Sequence, residues 1–415
     1  MITIVKNIGV LYGVHSPTQP LRDKGLADLP AISNAWISVE GNVITGFGIM
    51  NDGSYPGDKQ DSGIQYYDAA GGVVLPCWCD SHTHLVFAAS REEEFVDKIR
   101  GLTYSQIAEK GGGILNSARK LNLVSEDELF TLSWNRLQEI RKLGTGAVEI
   151  KSGYGLTLDG ELKMLRVIRR LKEKSGMTIK STFLGAHSFP EEYKHDHESY
   201  IRIIIEEMIP RVATEKLADY IDVFCESGFF SPEETIRIVK AGQAVGLKPK
   251  IHANQLNLSG GVQAGISLNA VSVDHLETMD DETVDCLAQS STIGTLLPTA
   301  AFFLRMPFQP ARQMIDEGCA IALASDYNPG SSPSGNMNLV VSMACIGMRM
   351  LPEEAINAAT LNGAFAMESA HETGSVAIGK QANLIITHPV PSLHYLPYAF
   401  GSQCIKQVMI KGEFV

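Results

Sequence analysis

Two imidazoles stand two residues apart in Asp80-Ser81-His82-Thr83-His84, directly after the apolar run Gly72-Val73-Val74-Leu75-Pro76, short enough for a buried strand. Alternate side chains of a strand share a face, so Asp80, His82 and His84 point one way and Cys77, Cys79 and Ser81 the other. Two imidazoles at a strand end can reach one metal ion from the same side, and the opposite facing of the cysteines argues against a thiolate site. Alone, His-x-His is weak evidence. Later segments add His187, His252, His275 and Asp326, each at the end of a stretch that reads as a strand. For any one of them a hydrogen-bonded structural role is as reasonable as metal binding; together they are hard to explain as core packing. Three imidazoles and a carboxylate suit a mononuclear site for zinc, iron or another borderline metal. Such an ion brings the pKa of a bound water near neutrality. Asp326, at its edge, can take that water's proton, and His275 can polarise a carbonyl under attack or hold the oxyanion. That chemistry is metal-assisted hydrolysis at an amide or amidine carbon.

The elements that must position these groups alternate in type. Candidate strands are Val73–His84, Gly146–Lys151, Lys180–Ala186, Ile221–Phe224, Lys250–His252, Ala270–His275, Ile293–Leu297 and Ala320–Asp326. Helical sequence or a loop follows each one. Ser125-x-x-Glu128 and Ser231-Pro232-Glu233-Glu234 are helix starts, and Pro352-Glu353-Glu354 opens a helix expected to run to Met367. Eight alternating β and α units predict a closed (β/α)8 barrel, with reactive groups at the C-terminal ends of its strands. The two chain ends instead read as short strands, such as Trp36–Val39, Val43–Phe47, Ile64–Tyr67, Ala382–Thr387 and Ile405–Ile410, which predict one small β-sandwich module. The expected division is 1–75 and 376–415 for the module and 76–375 for the barrel.

The 415 residues suffice for a large core plus an accessory unit, and 44% hydrophobic with 20% charged residues indicates a globular chain. A net charge of −12 speaks against nucleic acid or an anionic membrane as partner; an anionic small substrate needs its own local Arg or Lys. Seven scattered cysteines argue against a disulfide framework, and no apolar run nears the length of a membrane span, so a cytoplasmic protein is expected.

The strand-end pattern resembles the amidohydrolase superfamily, with His-x-His after strand one, His after strands five and six, and Asp after strand eight. The binuclear members' lysine on strand four has no counterpart in Ile221–Ser227, which favours one metal ion; Lys151 ends the wrong strand and reads as structural or at the rim. Further blocks are similar to the imidazolonepropionase family: Asp80–Phe87 with Ser90-Arg91-Glu92, Gln106 with Gly111–Leu115, Glu149–Leu156, Phe183–His187 and Ala324–Pro333. The resemblance implies metal ligands His82, His84, His252 and Asp326, and substrate contacts from Arg91, Tyr154, His187, Gln255, Asn328, Gly330 and Ser331. It implies opening of the cyclic amide of 4-imidazolone-5-propanoate to N-formimidoyl-L-glutamate in histidine degradation, one Zn or Fe per chain, and a homodimer. Arg91 can pair with the propanoate carboxylate, although it also reads as an exposed ion pair beside Glu92–Glu94. Gln255 stands where some relatives carry Glu; an amide can orient a ring nitrogen but cannot donate a proton as an acid does, leaving proton transfer to Asp326 and His275. Gly111–Gly113 reads as a flexible loop at the barrel mouth, and His195 and His197 as a solvated surface loop. Two alternatives remain: a deaminase of an amino-heterocycle on the same fold, and a non-catalytic amidohydrolase-like scaffold.

Overall fold

A computed structural model describes residues 2–57, 63–102, 106 and 110–415. The chain starts with β1 (Ile2–Tyr12), β2 (Ala31–Glu40), β3 (Val43–Ile49), β4 (Ile64–Asp68) and β5 (Val73–Pro76). β1 runs antiparallel to β2, with an irregularity between Val5 and Ile8. On its other edge it pairs with β4 along Ile2–Lys6 and with β5 at Val10 and Leu11. The expected strand Val73–His84 is therefore two strands in two sheets. Its first part is β5; the chain leaves that sheet at Cys77 and enters another as β6 (Trp78–Thr83).

β6 opens a ring of parallel strands: β7 (Thr145–Lys151), β8 (Thr178–Ala186), β9 (Tyr220–Cys225), β10 (Lys248–Ala253), β11 (Ser272–His275), β12 (Ile293–Leu296) and β13 (Ile321–Leu323). They are hydrogen-bonded in chain order as an eight-stranded sheet. A bridge from Thr83 to Tyr327 closes it, reinforced by Asp326 N–H to the His82 carbonyl (3.0 Å) and His84 N–H to the Tyr327 carbonyl (2.9 Å). β13 is shorter than expected because the chain turns at Asp326, whose φ is +51°. This is the predicted (β/α)8 barrel.

Surrounding helices are placed by caps and apolar stripes. Ser125 caps the helix Glu126–Lys142, which buries Leu129, Leu137 and Ile140; Ser231 and Glu234 form a reciprocal capping box on Pro232–Ala244. The helix expected from Pro352 to Met367 breaks at Thr360 (φ −117°, ψ −83°) into Pro352–Ala359 and Leu361–Ala366. The break lets Asn362 clip the β13 backbone through Ile321 O (2.8 Å) and the N-terminal segment through Leu21 N and O (2.9 Å each).

β14 (Leu384–Thr387), β15 (Ile405–Ile410) and β16 (Glu413–Phe414) end the chain. β14 pairs antiparallel with β5, from Leu384 opposite Pro76 to Ile386 opposite Val74, so both chain ends share one mixed sheet of eight strands. The fork at β1 gives this sheet a core of its own, including Val5, Ile8, Ile37, Val74, Leu384 and Met409. Among the described residues, no helix is long and apolar enough to cross a membrane.

Candidate active site

Below the strand ends lies a layer of charge that the sequence reading did not assemble. Glu149 and Lys151 from β7, Asp222 from β9, Lys250 from β10 and Asp274 from β11 are all buried. Lys151 Nζ stands 2.7 Å from Glu149, 2.9 Å from Asp222 and 3.6 Å from Asp274. Lys250 Nζ donates to Glu149 (2.7 Å) and to the Ser81 carbonyl (2.9 Å). Lys151 is thus structural and not at the rim. Burial alone would lower its pKa, but the three carboxylates outweigh that and raise it, so the ammonium stays charged. The signal for this layer was a charged residue at inward positions of otherwise apolar strands.

Two of these carboxylates reach the imidazoles above. Asp274 Oδ2 accepts from His82 Nδ1 at 2.7 Å, and Asp222 Oδ2 lies 2.9 Å from His252 Nδ1. At His82 the hydrogen bond on Nδ1 fixes the tautomer and turns the Nε2 lone pair outward, as a metal-ligating histidine requires. His84 Nε2 lies 3.3 Å from His252 Nε2, and His82 Nε2 and His84 Nε2 each lie 3.6 Å from Asp326 Oδ1. His187 stacks on His84 with ring centroids 5.1 Å apart, and His275 packs edge-on to His82 at 5.5 Å. The Asp80 carboxylate accepts from Ser325 N (2.9 Å) and Oγ (2.6 Å), and the β6–β7 register shifts between Asp80 and Thr83.

A metal fits this constellation. Donor atoms of His82, His84 and Asp326 lie within 4.8 Å of one another, as do those of His82, His252 and His275, and those of His84, His187 and His252. His82 Nε2 is buried without a hydrogen-bond partner. Burial, helped by neighbouring cations, holds His82, His84 and His252 well below their ordinary pKa, so they are neutral and free to ligate. Burial pushes Asp326 up to about 6, against the pull of His275 and hydrogen bonds from Asn328 and Ser331. His275 runs the other way: burial would lower it, but Glu277, 3.3 Å from Nδ1, and Asp326 raise it.

These groups form the buried end of a cavity of about 750 Å³. Every sequence-predicted metal or substrate residue lines it except His82, which lies behind the others. Arg91 Nε donates to Ser117 Oγ (2.9 Å), and its guanidinium stands 6.0 Å from the Tyr154 ring, so it is not merely an exposed ion pair. Asn328 builds its own turn: Oδ1 accepts from Gly330 N (2.7 Å) and Ser331 N (2.8 Å), while Nδ2 donates to the Asp326 carbonyl (2.7 Å). Ser331 Oγ donates to Asp326 Oδ2 at 3.1 Å. At Gly330 a Cβ would come within 2.4 Å of Arg91 Nη1, so a larger residue there would displace the guanidinium.

Two acids that the sequence reading overlooked hold the loops of the site. Buried Glu161 accepts from Gly153 N (3.0 Å), Gly155 N (2.7 Å) and Leu156 N (2.9 Å), bracketing Tyr154. Buried Glu226 accepts from Leu256 N (2.8 Å) and Asn257 Nδ2 (3.0 Å), immediately after Gln255. Of the Gln106–Leu115 block, residues 107–109 lie outside the described residues; Gly113 opens the helix Gly113–Leu123 and donates to Glu94 (2.9 Å). His195 is exposed as expected, while His197 stacks on Phe189 at 3.6 Å. Neither belongs to a metal-capable group among the described residues.

The sequence model of the amidohydrolase family matches residues 73–415. An imidazolonepropionase of Flavobacterium johnsoniae is 55% identical over 416 residues, covering 100% of both chains. One from Geobacillus kaustophilus is 41% identical over 400 residues, covering 96% of this chain and 94% of that protein. Among solved structures, E. coli guanine deaminase superposes with a TM-score of 0.76 over 100% of this chain and 99% of that one, at 12% identity, a likeness of fold alone. The deaminase alternative rests on nothing more specific than that. Full-length identity and a cavity that gathers the motif residues agree: the chain belongs to the amidohydrolase family and, within it, to the imidazolonepropionases.

Proposed function

We propose that the protein hydrolyses the cyclic amide of 4-imidazolone-5-propanoate, giving N-formimidoyl-L-glutamate, with a single Zn or Fe ion held by His82, His84, His252 and Asp326. The observation that carries this reading is the juxtaposition, in one cavity, of a neutral, carboxylate-backed imidazole cluster and a guanidinium. When bound, the ion supplies Lewis acidity and an activated water. Arg91 binds the propanoate carboxylate by charge-assisted hydrogen bonds, with Tyr154 and His187 beside it. Gln255 orients the ring, and the N–H groups and hydroxyl of the Asn328–Ser331 turn anchor its polar edge. Asp326 takes the proton of the attacking water and returns it to the departing ring nitrogen. His275, whose pKa Glu277 raises against the effect of burial, donates to the carbonyl oxygen as negative charge develops on it. The ring C–N bond breaks between that carbonyl carbon and its nitrogen, so the product keeps both nitrogens and no ammonia leaves.

The same reading takes the protein as a cytoplasmic homodimer, divided as 1–75 and 376–415 for the module and 76–375 for the barrel. The free state of all seven cysteines is consistent with a reducing compartment. The test is an assay with freshly made 4-imidazolone-5-propanoate alongside metal analysis. Loss of the imidazolone absorbance without ammonia, at near one metal per chain, is expected. A metal-loaded protein that leaves the compound intact would overturn the assignment of substrate.

A further inference from the structure

Beside Arg91 the cavity holds a second cation to which nothing so far gives a role. Lys98 lies on α1 (Glu92–Ile99), the helix that Arg91 N-caps. The helix has no fully buried residue. What ties it to the barrel are side chains: Glu94 to Gly113 N (2.9 Å), Phe95 stacked on Phe303 at 5.4 Å, and Lys98 Nζ to the Gly330 carbonyl at 3.1 Å. Lys98 is half-buried, lines the cavity and rests 5.7 Å from the Phe303 ring. Gly330 is also the residue whose Cβ would strike Arg91 Nη1, so guanidinium and ammonium flank the same glycine. Glu94, on the same helix, also lines the cavity and accepts from the Gly113 N–H, so one carboxylate stands near the two cations. Burial and the neighbouring Arg91 lower the Lys98 pKa, and Glu94 only partly offsets them.

We propose that Lys98 is a specificity-determining residue: with Arg91 it forms a two-cation cradle for the carboxylate of the substrate's tail. This rests on the reading of the substrate as an anionic cyclic amide. The Gly330 carbonyl occupies one of the three ammonium donors, and the others are free to reach a carboxylate oxygen. Arg91 supplies the planar fork and Lys98 the second charge, so the pair selects an anionic tail over an isosteric neutral one.

The discriminating experiment compares 4-imidazolone-5-propanoate with its propanamide on wild type, K98Q and K98R. The side-chain amide that K98Q introduces can still donate to the Gly330 carbonyl, so this variant tests charge apart from tethering. The expected result is that K98Q lowers the kcat/KM preference for the propanoate about tenfold, chiefly through KM, and that K98R restores most of it. Equal losses on both compounds would make Lys98 a tether only, and no loss would remove it from the site; either overturns the proposal. If wild type turns over neither compound, the reading of the reaction is what fails. The cradle is then judged by calorimetric binding of glutarate, which K98Q must weaken and K98R preserve.

Discussion

Asp326 takes its place through a backbone conformation that side chains seldom adopt, and a hydroxyl on Ser331 fixes one of its oxygens. Asp326→Asn retains an oxygen to accept that bond but has no basic carboxylate. Turnover should fall by ~10²–10⁴-fold while far-UV circular dichroism stays unchanged; near-normal activity would mean that the proton acceptor is misassigned. Arg91→Met removes the charge proposed to bind the tail and should raise KM roughly 10–100-fold, with a smaller change in kcat, measured by steady-state kinetics. At this scale the sequence was most readable where a reactive residue ends a strand, because the apolar run before it announces the position. His82, His84, His252, His275 and Asp326, which the fold brings together, stand out in the sequence that way. Glu277 was not, since one more acid two residues beyond a histidine carries no signal until its carboxylate is seen 3.3 Å from Nδ1.

The elements of the site are loops secured by acids from elsewhere in the chain. Glu161 opens a helix and looks, in sequence, like an ordinary acidic residue favoured by the helix dipole. In the fold its carboxylate instead turns back to hold three N–H groups around Tyr154. Glu161→Ala leaves those donors buried without acceptors, at a cost of about 1–3 kcal/mol for each. Hydrogen exchange at Gly155 and Leu156 should accelerate markedly, and KM should rise because Tyr154 lies in that loop and its Gly153 carbonyl stands 3.0 Å from His187 Nδ1. Unchanged exchange would show that the loop holds its shape without the carboxylate. The boundary errors have a related origin. The break at Thr360 goes with a side chain that clips distant backbone, Asn362 at Ile321 and Leu21, and the early end of β13 with the turn at Asp326, neither of which propensity along the chain can register. Val73–His84 divides for the opposite reason: its two parts are both extended and follow each other without a turn signal, and only their partners, β14 and β7, tell them apart.

At the scale of the whole molecule, the barrel floor is a buried lattice of two lysines and three carboxylates that backs two imidazoles of the site. Lys151→Met leaves Glu149, Asp222 and Asp274 with one buried cation fewer, and removing a partner from such a network typically costs about 3–5 kcal/mol. The apparent Tm should drop by several degrees in calorimetry, and metal content should fall with it because Asp274 also sets the tautomer of His82 and Asp222 stands 2.9 Å from His252 Nδ1. Retained stability with normal metal content would mean that the layer is only a tolerated burden.

The sheet that joins both ends of the chain has a consequence for synthesis. β5 emerges from the ribosome among the first residues, yet its partner β14 follows roughly 300 residues later, at ~5–20 residues per second. For tens of seconds the Val74 edge is an open apolar strand, available to any other nascent chain. A chain stopped before Leu384 never covers it. Such truncated chains should partition into the insoluble fraction in a pulse-labelled lysate even though every residue of the candidate site has been made. The last strands thereby act as a release check on translation, since the exposed edge is hidden only when they arrive.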